Sequence, residues 1–451
     1  MRCTILTLFS IVWTNLCYCQ TFTPSTMSDK SLVEFSNKIK NDKNIDATQA
    51  ISLISNFSTY PIIDKLGVEY LFFYADSLFG QVPVRVYIPK KYNNINSNPV
   101  ILLLHGAEGA SRFSYVDTKT MKYVSKDTID YTNDTFVDYF KNDNNYIVIR
   151  PIADVTKNFR WAVNRSNLSS NPSIKSITNI IIFLKQFLNI DDNRIYSWGH
   201  SDGSDGTFSL DVLSPSVFAG FVAYNTTLTQ IFGQVYLRNM INKPFYLVHS
   251  DLDDIRPIQQ TRMQSKTLDS LKAPVIYKEY LGYNHEDKHL SLDAQNGKLF
   301  IQNIIRNPYP KNIYWESDNS LFNQIDWLKI KTLSTEDRPE NWHTNINHKT
   351  YNKIDKKYDD YGYYEYKNKS GAVIAEFNNN IFKFKTSRVD EVEVLISPVM
   401  INLQNPVIIE INGKIVFNKK IDADKNFLLS EFSKNHDRKS LWVNSITVKT
   451  K

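Results

Sequence analysis

Apolar runs alternate with amphipathic stretches between residues 66 and 310. The first two runs, at residues 68–75 and 82–89, have strand-like patterns, whereas residues 99–104 are apolar almost throughout. Further apolar runs follow at 146–149, 194–198, 218–224 and 245–249, and residues 174–188 have helical spacing. Apolar strands separated by helices are typical of a parallel sheet covered on both faces, so the predicted fold class is α/β.

The pattern changes near residue 310. A Tyr/Asn/Lys-rich stretch runs to Lys367, and short alternating runs with a turn at Asn412–Gly413 follow it. Short strands at regular spacing favour a small antiparallel, all-β sandwich. We therefore predict a main domain at 66–310, a linker and C-terminal sandwich at 311–451, and a lead-in segment with one or two helices at 20–65.

The first nineteen residues have the pattern of a secretory signal peptide. Arg2 precedes the short apolar run of residues 3–13, and we expect cleavage after Cys19. Lipid attachment is disfavoured because Leu16 and Tyr18, which are not small, precede the available cysteines. We expect a secreted or periplasmic protein without a stable membrane anchor, since no later segment has the required apolar length.

Composition narrows the function classes. The three cysteines, Cys3, Cys17 and Cys19, all lie in the signal segment, so the mature chain has no disulfide, thiolate nucleophile or cysteine metal site. The 53 basic and 47 acidic residues give +6 without a long basic block, so we predict no nucleic-acid partner. With 14 glycines in 451 residues, roughly 3% against the usual ~7%, the glycine clusters stand out.

One cluster is a G-x-S-x-G pentapeptide, Gly199–Gly203, between a predicted strand and a predicted helix. This is the context of a nucleophile elbow, in which a sharp turn exposes the serine hydroxyl. Ser201 is the predicted nucleophile. A hydroxyl needs a base, and the base needs a carboxylate to hold it, in the chain order serine, acid, histidine.

The acid and the base are both predicted in loops after strands. The loop of residues 249–257 offers Asp253 as first choice for the acid, with Asp251 and Asp254 as alternatives. His285 follows the strand at 275–280 and is the predicted base, whereas His289 is expected on the next helix.

A second glycine-containing loop, His105–Gly109, follows the most apolar strand. Such a loop can direct backbone N–H groups at an oxyanion, together with the N–H of Asp202. His105 itself is expected to be structural. His343 and His348 stand near Glu336 and Asp337, and we interpret that segment as a solvated loop rather than a metal site.

Residues 80–305 resemble the secreted α/β-hydrolase esterases related to polyhydroxybutyrate depolymerases and feruloyl esterases. The segments that carry the resemblance are PVILLLHGAEGA, the run 190–196 leading into GHSDGSDG, HSDLDDIRP and GYNH. The resemblance implies Ser201 as nucleophile, Asp253 as acid, His285 as base, and the N–H groups of Ala107 and Asp202 as oxyanion donors. The chain departs from the family where it has His249–Ser250 in place of His-Gly. The C-terminal part is similar to the β-sandwich appended to exported bacterial hydrolases of this kind.

These observations predict a secreted serine esterase that works through a Ser-His-Asp triad and an acyl-enzyme, without cofactor or metal. The expected substrate is a small-molecule or polymer-borne ester, and the sequence carries no signal for the oligomeric state. One alternative is a serine peptidase of the same fold. The other is a glycan-binding or partner-binding protein on a degenerate hydrolase fold, which the retention of all three residue types disfavours.

Overall fold

A computed structural model describes residues 20–21, 32–106, 114–117, 122–125, 135–154, 157–161, 171–226, 236–286, 288–344, 346, 350–352, 354–359 and 369–451. The predicted signal peptide and Ala107, a predicted oxyanion donor, lie outside these residues.

The described strands are β1 (Gln20–Thr21), β2 (Val68–Asp76), β3 (Gly80–Ile88), β4 (Asn98–Leu104), β5 (Ser114–Asp117), β6 (Lys122–Ser125), β7 (Ile147–Pro151), β8 (Ile190–His200), β9 (Gly220–Tyr224), β10 (Phe245–Ser250), β11 (Val275–Tyr280), β12 (Asn312–Ser317), β13 (Gln324–Ile325), β14 (Leu328–Leu333), β15 (Thr350–Asn352), β16 (Lys357–Asp359), β17 (Gly371–Asn378), β18 (Ile381–Ser387), β19 (Val389–Ile396), β20 (Val407–Ile411), β21 (Lys414–Lys419) and β22 (Asn444–Lys449). The described α-helices are α1 (Leu32–Asn41), α2 (Ala47–Ser55), α3 (Thr135–Asp143), α4 (Pro172–Leu184), α5 (Asp202–Leu213), α6 (Ile258–Ser270), α7 (His289–Gln302) and α8 (Lys425–Asn435), and 3-10 turns occupy Pro215–Val217 and Leu237–Asn242.

The main sheet has the strand order β1-β2-β3-β7-β4-β8-β9-β10-β11. β3 is antiparallel to both of its neighbours, β2 and β7. From β7 onwards in the sheet order, through β4, β8, β9 and β10 to β11, each strand is parallel to the next. The prediction of an α/β fold with a mostly parallel sheet is therefore confirmed. Because β4, β8, β10 and β11 run in the same direction, their carboxyl ends meet along one edge.

Both faces of the main sheet are buried. Val100, Leu102 and Leu104 of β4 join the apolar cluster that contains α4, whereas Ile101 and Leu103 join the cluster that contains residues of α3 and α7. The central strands need apolar side chains on both faces, which explains why their sequence is apolar throughout. Among the helices that the structure describes, none combines the length and apolar character that a membrane crossing requires.

The C-terminal region packs two sheets around a second core. One sheet has the order β12-β17-β18-β20-β21 and the other β13-β14-β19-β22, and Trp315 and Trp327 are fully buried between them. The pairs are antiparallel except β18 with β20, which is parallel. The region also contains α8, which the sequence analysis did not predict. Asp424 caps this helix by accepting hydrogen bonds from the N–H groups of Asn426 and Phe427.

The lead-in segment packs on the C-terminal region. Leu32 and Ile39 of α1 and Ile54 of α2 share an apolar cluster with Leu428 and Phe432 of α8. Helices α1 and α2 are therefore held to α8 by apolar contact.

A buried group of charges joins the main sheet to the C-terminal region, at a boundary that we call the seam. Asp437 lies 2.8 Å from Arg306 and 3.1 Å from Lys185, and Lys185 also lies 2.8 Å from Asp192. Burial opposes the charged form of Asp437, but the Arg306 and Lys185 charges outweigh it and hold the pKa of this carboxyl well below its usual value. The seam therefore depends on paired charges that water does not reach.

We expect Asp437→Asn to lower the free energy of unfolding by about 3–5 kcal/mol, because it leaves buried cations without their carboxylate. Since the folded-state pKa of Asp437 is depressed, its contribution is complete above the unfolded-state value of about 4 and is lost as the pH falls below it. Chemical denaturation from pH 7 to pH 3 should therefore show a shallower acid decline in Asp437→Asn than in the wild type.

The control is Asp390→Asn, which removes an exposed carboxylate 3.2 Å from Lys451. Its unfolding midpoint should match that of the wild type at neutral pH. Equal midpoints for Asp437→Asn and Asp390→Asn would contradict this account of the seam.

Candidate active site

Ser201 occupies a strained turn between the last residue of β8 and the first residue of α5. Its backbone has φ 56° and ψ −123°, in the positive-φ region that residues other than glycine seldom adopt. The Ser201 N–H donates to the carbonyl of Tyr224 at 3.1 Å, which ties the turn to β9. A strained turn at the carboxyl edge of a mostly parallel sheet is the nucleophile-elbow geometry of the α/β-hydrolase fold.

The two glycines of the pentapeptide allow this turn by their lack of a side chain. A Cβ on Gly203 would lie 1.9 Å from the Leu104 carbonyl oxygen, and one on Gly199 would lie 2.2 Å from the Gly203 backbone. Any other residue at either position would therefore push the turn away from the sheet.

Ser201, His285 and Asp253 form a continuous hydrogen-bonded series. Ser201 Oγ lies 2.8 Å from His285 Nε2, and His285 Nδ1 lies 2.7 Å from Asp253 Oδ2. The three residues are only 9%, 2% and 7% exposed, respectively. Because the carboxylate only accepts, Nδ1 carries the proton and Nε2 is free to accept from the serine hydroxyl.

Asp253 is held as an anion by its loop. Its Oδ1 accepts the N–H groups of Ile255 at 2.9 Å and Arg256 at 2.7 Å, and its Oδ2 lies 3.3 Å from His249 Nε2. Burial opposes ionisation, but the hydrogen bonds from His249, His285 and the Arg256 N–H outweigh it and keep the pKa of Asp253 well below its usual value. An ionised carboxylate orients the imidazole and stabilises its cation.

The alternative acids and base lie elsewhere. Asp251 accepts the N–H of Gly282 at 2.6 Å, and Asp254 is exposed. His289 begins α7, as the sequence indicated, and its Nε2 lies 3.2 Å from Asn225 Oδ1.

The His285 loop is fixed by neighbours that the sequence analysis did not single out for this role. Ser250 Oγ donates to the carbonyl of Asn284 at 2.9 Å, so Ser250 ties β10 to this loop. Asn225 Nδ2 donates to Ser250 Oγ at 2.8 Å, and His200 Nε2 donates to the His285 carbonyl at 2.9 Å. Burial lowers the pKa of His200 well below its usual value, so this imidazole is neutral at pH 7.

Arg256 pairs with two acidic residues in the first turn of α5. Its guanidinium lies 2.8 Å from Asp202 Oδ1 and 2.5 Å from Asp205 Oδ1, and the residue is 8% exposed. Burial and the nearby Asp205 charge raise the pKa of Asp202, and Arg256 opposes that rise. The same arginine therefore links the acid loop to the helix that follows the nucleophile.

The backbone N–H of Asp202 is the first of α5, one of the four in any helix that have no partner within the helix. Gly106 lies beside Ser201, since a Cβ built on it would be 3.6 Å from Ser201 Cβ. The side chain of His105 supports the start of the loop that follows β4. Its Nδ1–H donates to the Gly106 carbonyl at 2.7 Å, and its Nε2 accepts the Ala153 N–H at 3.1 Å. Burial lowers the pKa of His105 to about 4, so it stays neutral at pH 7.

Glu286 directly follows His285 at the mouth of the site. Its carboxylate oxygens lie 3.9 Å from His285 Nε2 and 3.9 Å from His200 Nδ1, and its side chain is 72% exposed. These three residues are the set of described side chains closest to metal-ligand geometry. The sequence analysis assigned no role to His200 or Glu286. The two residues are brought together only when the end of β8 and the loop after β11 reach the same edge of the sheet.

The interpretation of His343 as part of a solvated loop is wrong. His343 is 5% exposed, and its ring nitrogens lie 3.0 Å from Glu316 Oε1 and 2.9 Å from Ser387 Oγ. A cavity of about 860 Å³ lies nearby, lined in part by Asn242, Tyr314 and Trp342. None of the described residues that line it belongs to the Ser201 site.

Several solved structures resemble about half of the chain. A thermostable esterase is 21% identical with a TM-score of 0.41, and the match covers 53% of this chain and 63% of that one. The S-formylglutathione hydrolase of Staphylococcus aureus is 13% identical with a TM-score of 0.38, covering 54% and 100% of the two chains. Esterase 2 of Thermogutta terrifontis, phosphoramylated by tabun, is 12% identical with a TM-score of 0.38, covering 52% and 94%. No protein-family model and no curated protein matches the sequence.

We expect Arg256→Met to lower the free energy of unfolding by about 3–5 kcal/mol, because it removes the cation paired with the buried carboxylate of Asp205 and the half-buried one of Asp202. The matched control is Arg262→Met, which breaks a 2.6 Å pair between Arg262 and Glu279 near the surface. That change should cost at most about 1 kcal/mol. Urea denaturation of both variants checks the difference, and a larger loss in Arg262→Met would contradict the role given to Arg256.

Proposed function

We propose that this chain is a serine hydrolase that cleaves carboxylic esters, with Ser201 as nucleophile, His285 as general base and acid, and Asp253 as the group that orients His285. The observation that carries the proposal is the hydrogen-bonded series from Ser201 Oγ to His285 Nε2 at 2.8 Å and from His285 Nδ1 to Asp253 Oδ2 at 2.7 Å. It begins at the strained, glycine-flanked turn that exposes a nucleophile.

In the acylation step, Ser201 Oγ attacks the ester carbonyl carbon while its proton moves to His285 Nε2. The carbonyl oxygen takes up the electron pair and becomes an oxyanion. Collapse of the tetrahedral intermediate breaks the bond to the alcohol oxygen, and His285 gives its proton to that oxygen as the alcohol leaves. The acyl group is then bonded to Ser201.

Water completes the cycle by the same route. His285 Nε2 takes a proton from the water molecule, the resulting hydroxide attacks the acyl carbon, and the proton returns to Ser201 as the acid leaves. The Asp253 carboxylate stabilises the imidazolium in both steps. The N–H groups of Asp202 and Ala107 are our proposed donors to the oxyanion.

Export is part of the proposal and is supported by the apolar segment at residues 3–13, which would bring the enzyme to substrates outside the cytoplasm.

The Ser201→Ala variant tests the function directly. We expect it to lower kcat for p-nitrophenyl acetate by about 10⁴-fold or more while keeping the wild-type melting temperature, because only the nucleophile is lost. The matched control is Ser209→Ala in α5, the helix that follows Ser201; this fully buried serine should leave hydrolysis intact. Undiminished ester hydrolysis in Ser201→Ala would contradict the assignment. Cleavage of peptidyl anilides but not of esters by the wild type would replace the esterase with a peptidase.

The identity of the acid is tested separately. Asp253→Asn should lower kcat by about 10⁴-fold, because a neutral amide favours the wrong tautomer of His285. Asp254→Asn, one residue away and exposed, is the control and should retain the wild-type rate. A larger loss in Asp254→Asn than in Asp253→Asn would move the acid to the neighbouring carboxylate.

A further inference from the structure

Three potential ligand atoms converge at the mouth of the Ser201 site. They belong to His200, His285 and Glu286, each of which offers one ligand atom within 4.8 Å of the other two. Each histidine nitrogen lies 3.9 Å from a different oxygen of the Glu286 carboxylate. Two imidazoles and a carboxylate are a ligand set that zinc uses in proteins.

The hydrogen bonds on the far side of each imidazole fix its tautomer. His200 Nε2 faces the His285 carbonyl at 2.9 Å, and a carbonyl only accepts, so Nε2 carries the proton and Nδ1 carries a lone pair. His285 Nδ1 faces the Asp253 carboxylate at 2.7 Å, so its Nε2 also carries a lone pair. These two nitrogens are also the ones that lie 3.9 Å from the Glu286 carboxylate, and the His285 lone pair at present accepts from Ser201 Oγ at 2.8 Å.

This is how metal-binding histidines are held elsewhere. The ring nitrogen that does not bind the metal donates its N–H to a backbone carbonyl or a carboxylate, which fixes the ring and makes the other nitrogen a better ligand. His200 has the carbonyl and His285 has the carboxylate. The supporting contacts of a metal site are thus already present around both rings.

We propose that His200, His285 and Glu286 bind a zinc ion that inhibits the enzyme. The inference rests on the proposed function, since it gives His285 Nε2 two competing uses. That nitrogen has one lone pair, which either accepts the Ser201 proton or bonds to the metal. With zinc bound, Ser201 has no base and hydrolysis stops, and removal of the ion restores it.

Zinc binding requires the three ligand atoms to move closer together. Tetrahedral zinc with bonds of about 2.1 Å separates its ligands by about 3.4 Å, whereas each histidine nitrogen lies 3.9 Å from a Glu286 oxygen and all three residues have ligand atoms within 4.8 Å of one another. Glu286 can close this gap because its side chain is 72% exposed, whereas the two histidines are buried. Magnesium and calcium prefer oxygen ligands in larger number, so we expect selectivity for zinc.

Zinc binding is measured first in the Ser201→Ala variant, in which the three ligands are intact, by competition with a chromophoric chelator. We expect one zinc ion per chain. Adding Glu286→Gln to this variant should weaken binding at least tenfold, whereas adding Glu336→Gln, which removes a carboxylate that is 92% exposed elsewhere on the surface, should not change it. Equal zinc affinity with and without Glu286→Gln would overturn the site.

Inhibition is measured next in the chain with Ser201 intact, each variant being compared with its own zinc-free rate on p-nitrophenyl acetate. Zinc should inhibit reversibly, EDTA should restore the rate, and Glu286→Gln should raise the half-inhibiting zinc concentration at least tenfold. Magnesium should not inhibit.

Activation by zinc, or an inhibition that Glu286→Gln leaves unchanged, would overturn the proposal. Absence of ester hydrolysis without zinc would instead count against the proposed function, and the chelator measurement would still decide whether the zinc site exists.

Discussion

The backbone of Ser201 is the constraint on which the site depends. A φ of 56° at a residue with a side chain is unfavourable, and it persists only where the surroundings hold it in place. Here Gly199 and Gly203 lie close against neighbouring backbone, and this packing holds the turn in its observed conformation. The parallel direction of β8, β10 and β11 then brings the loops of Asp253 and His285 to the same edge. One strained turn and one strand direction thus account for the position of all three groups.

Carboxylates are stabilised in the same way at the active site and at the seam, by nearby hydrogen-bond donors or cations. Asp253 is surrounded by N–H donors, Asp202 and Asp205 share Arg256, and Asp437 is paired with Arg306 and Lys185. A carboxylate in the interior is tolerated only when donors or cations replace the water it has lost. The pairing around the active site has a second effect, because Arg256 offsets part of the negative charge of Asp202 and Asp205 beside the place where an oxyanion would form. The contacts that stabilise the folded chain therefore also support the proposed chemistry.

The main fold could be predicted from the sequence because the patterns that indicate it are local. A strand buried on both faces must be apolar, as at residues 99–104, and the elbow needs its two glycines. The missed features depend on distant contacts. Helix α8 follows a short polar segment. It is stabilised by the packing of Leu428 and Phe432 against α1 and α2, which lie some 380 residues earlier in the chain. His343 is buried because Glu316 of β12 faces it, and no local pattern indicates that pairing. The assignment of Asp253 over its neighbours stays a prediction, as does the role of Ala107.

The most direct test of the central claim is chemical modification with a fluorophosphonate, followed by mass spectrometry of the digested protein. The account predicts a single modified residue, Ser201, in the wild type, and no modification in a folded His285→Ala variant, because the hydroxyl is a nucleophile only when the imidazole can take its proton. Modification of a different serine, or a folded and unmodified wild-type protein, would contradict it.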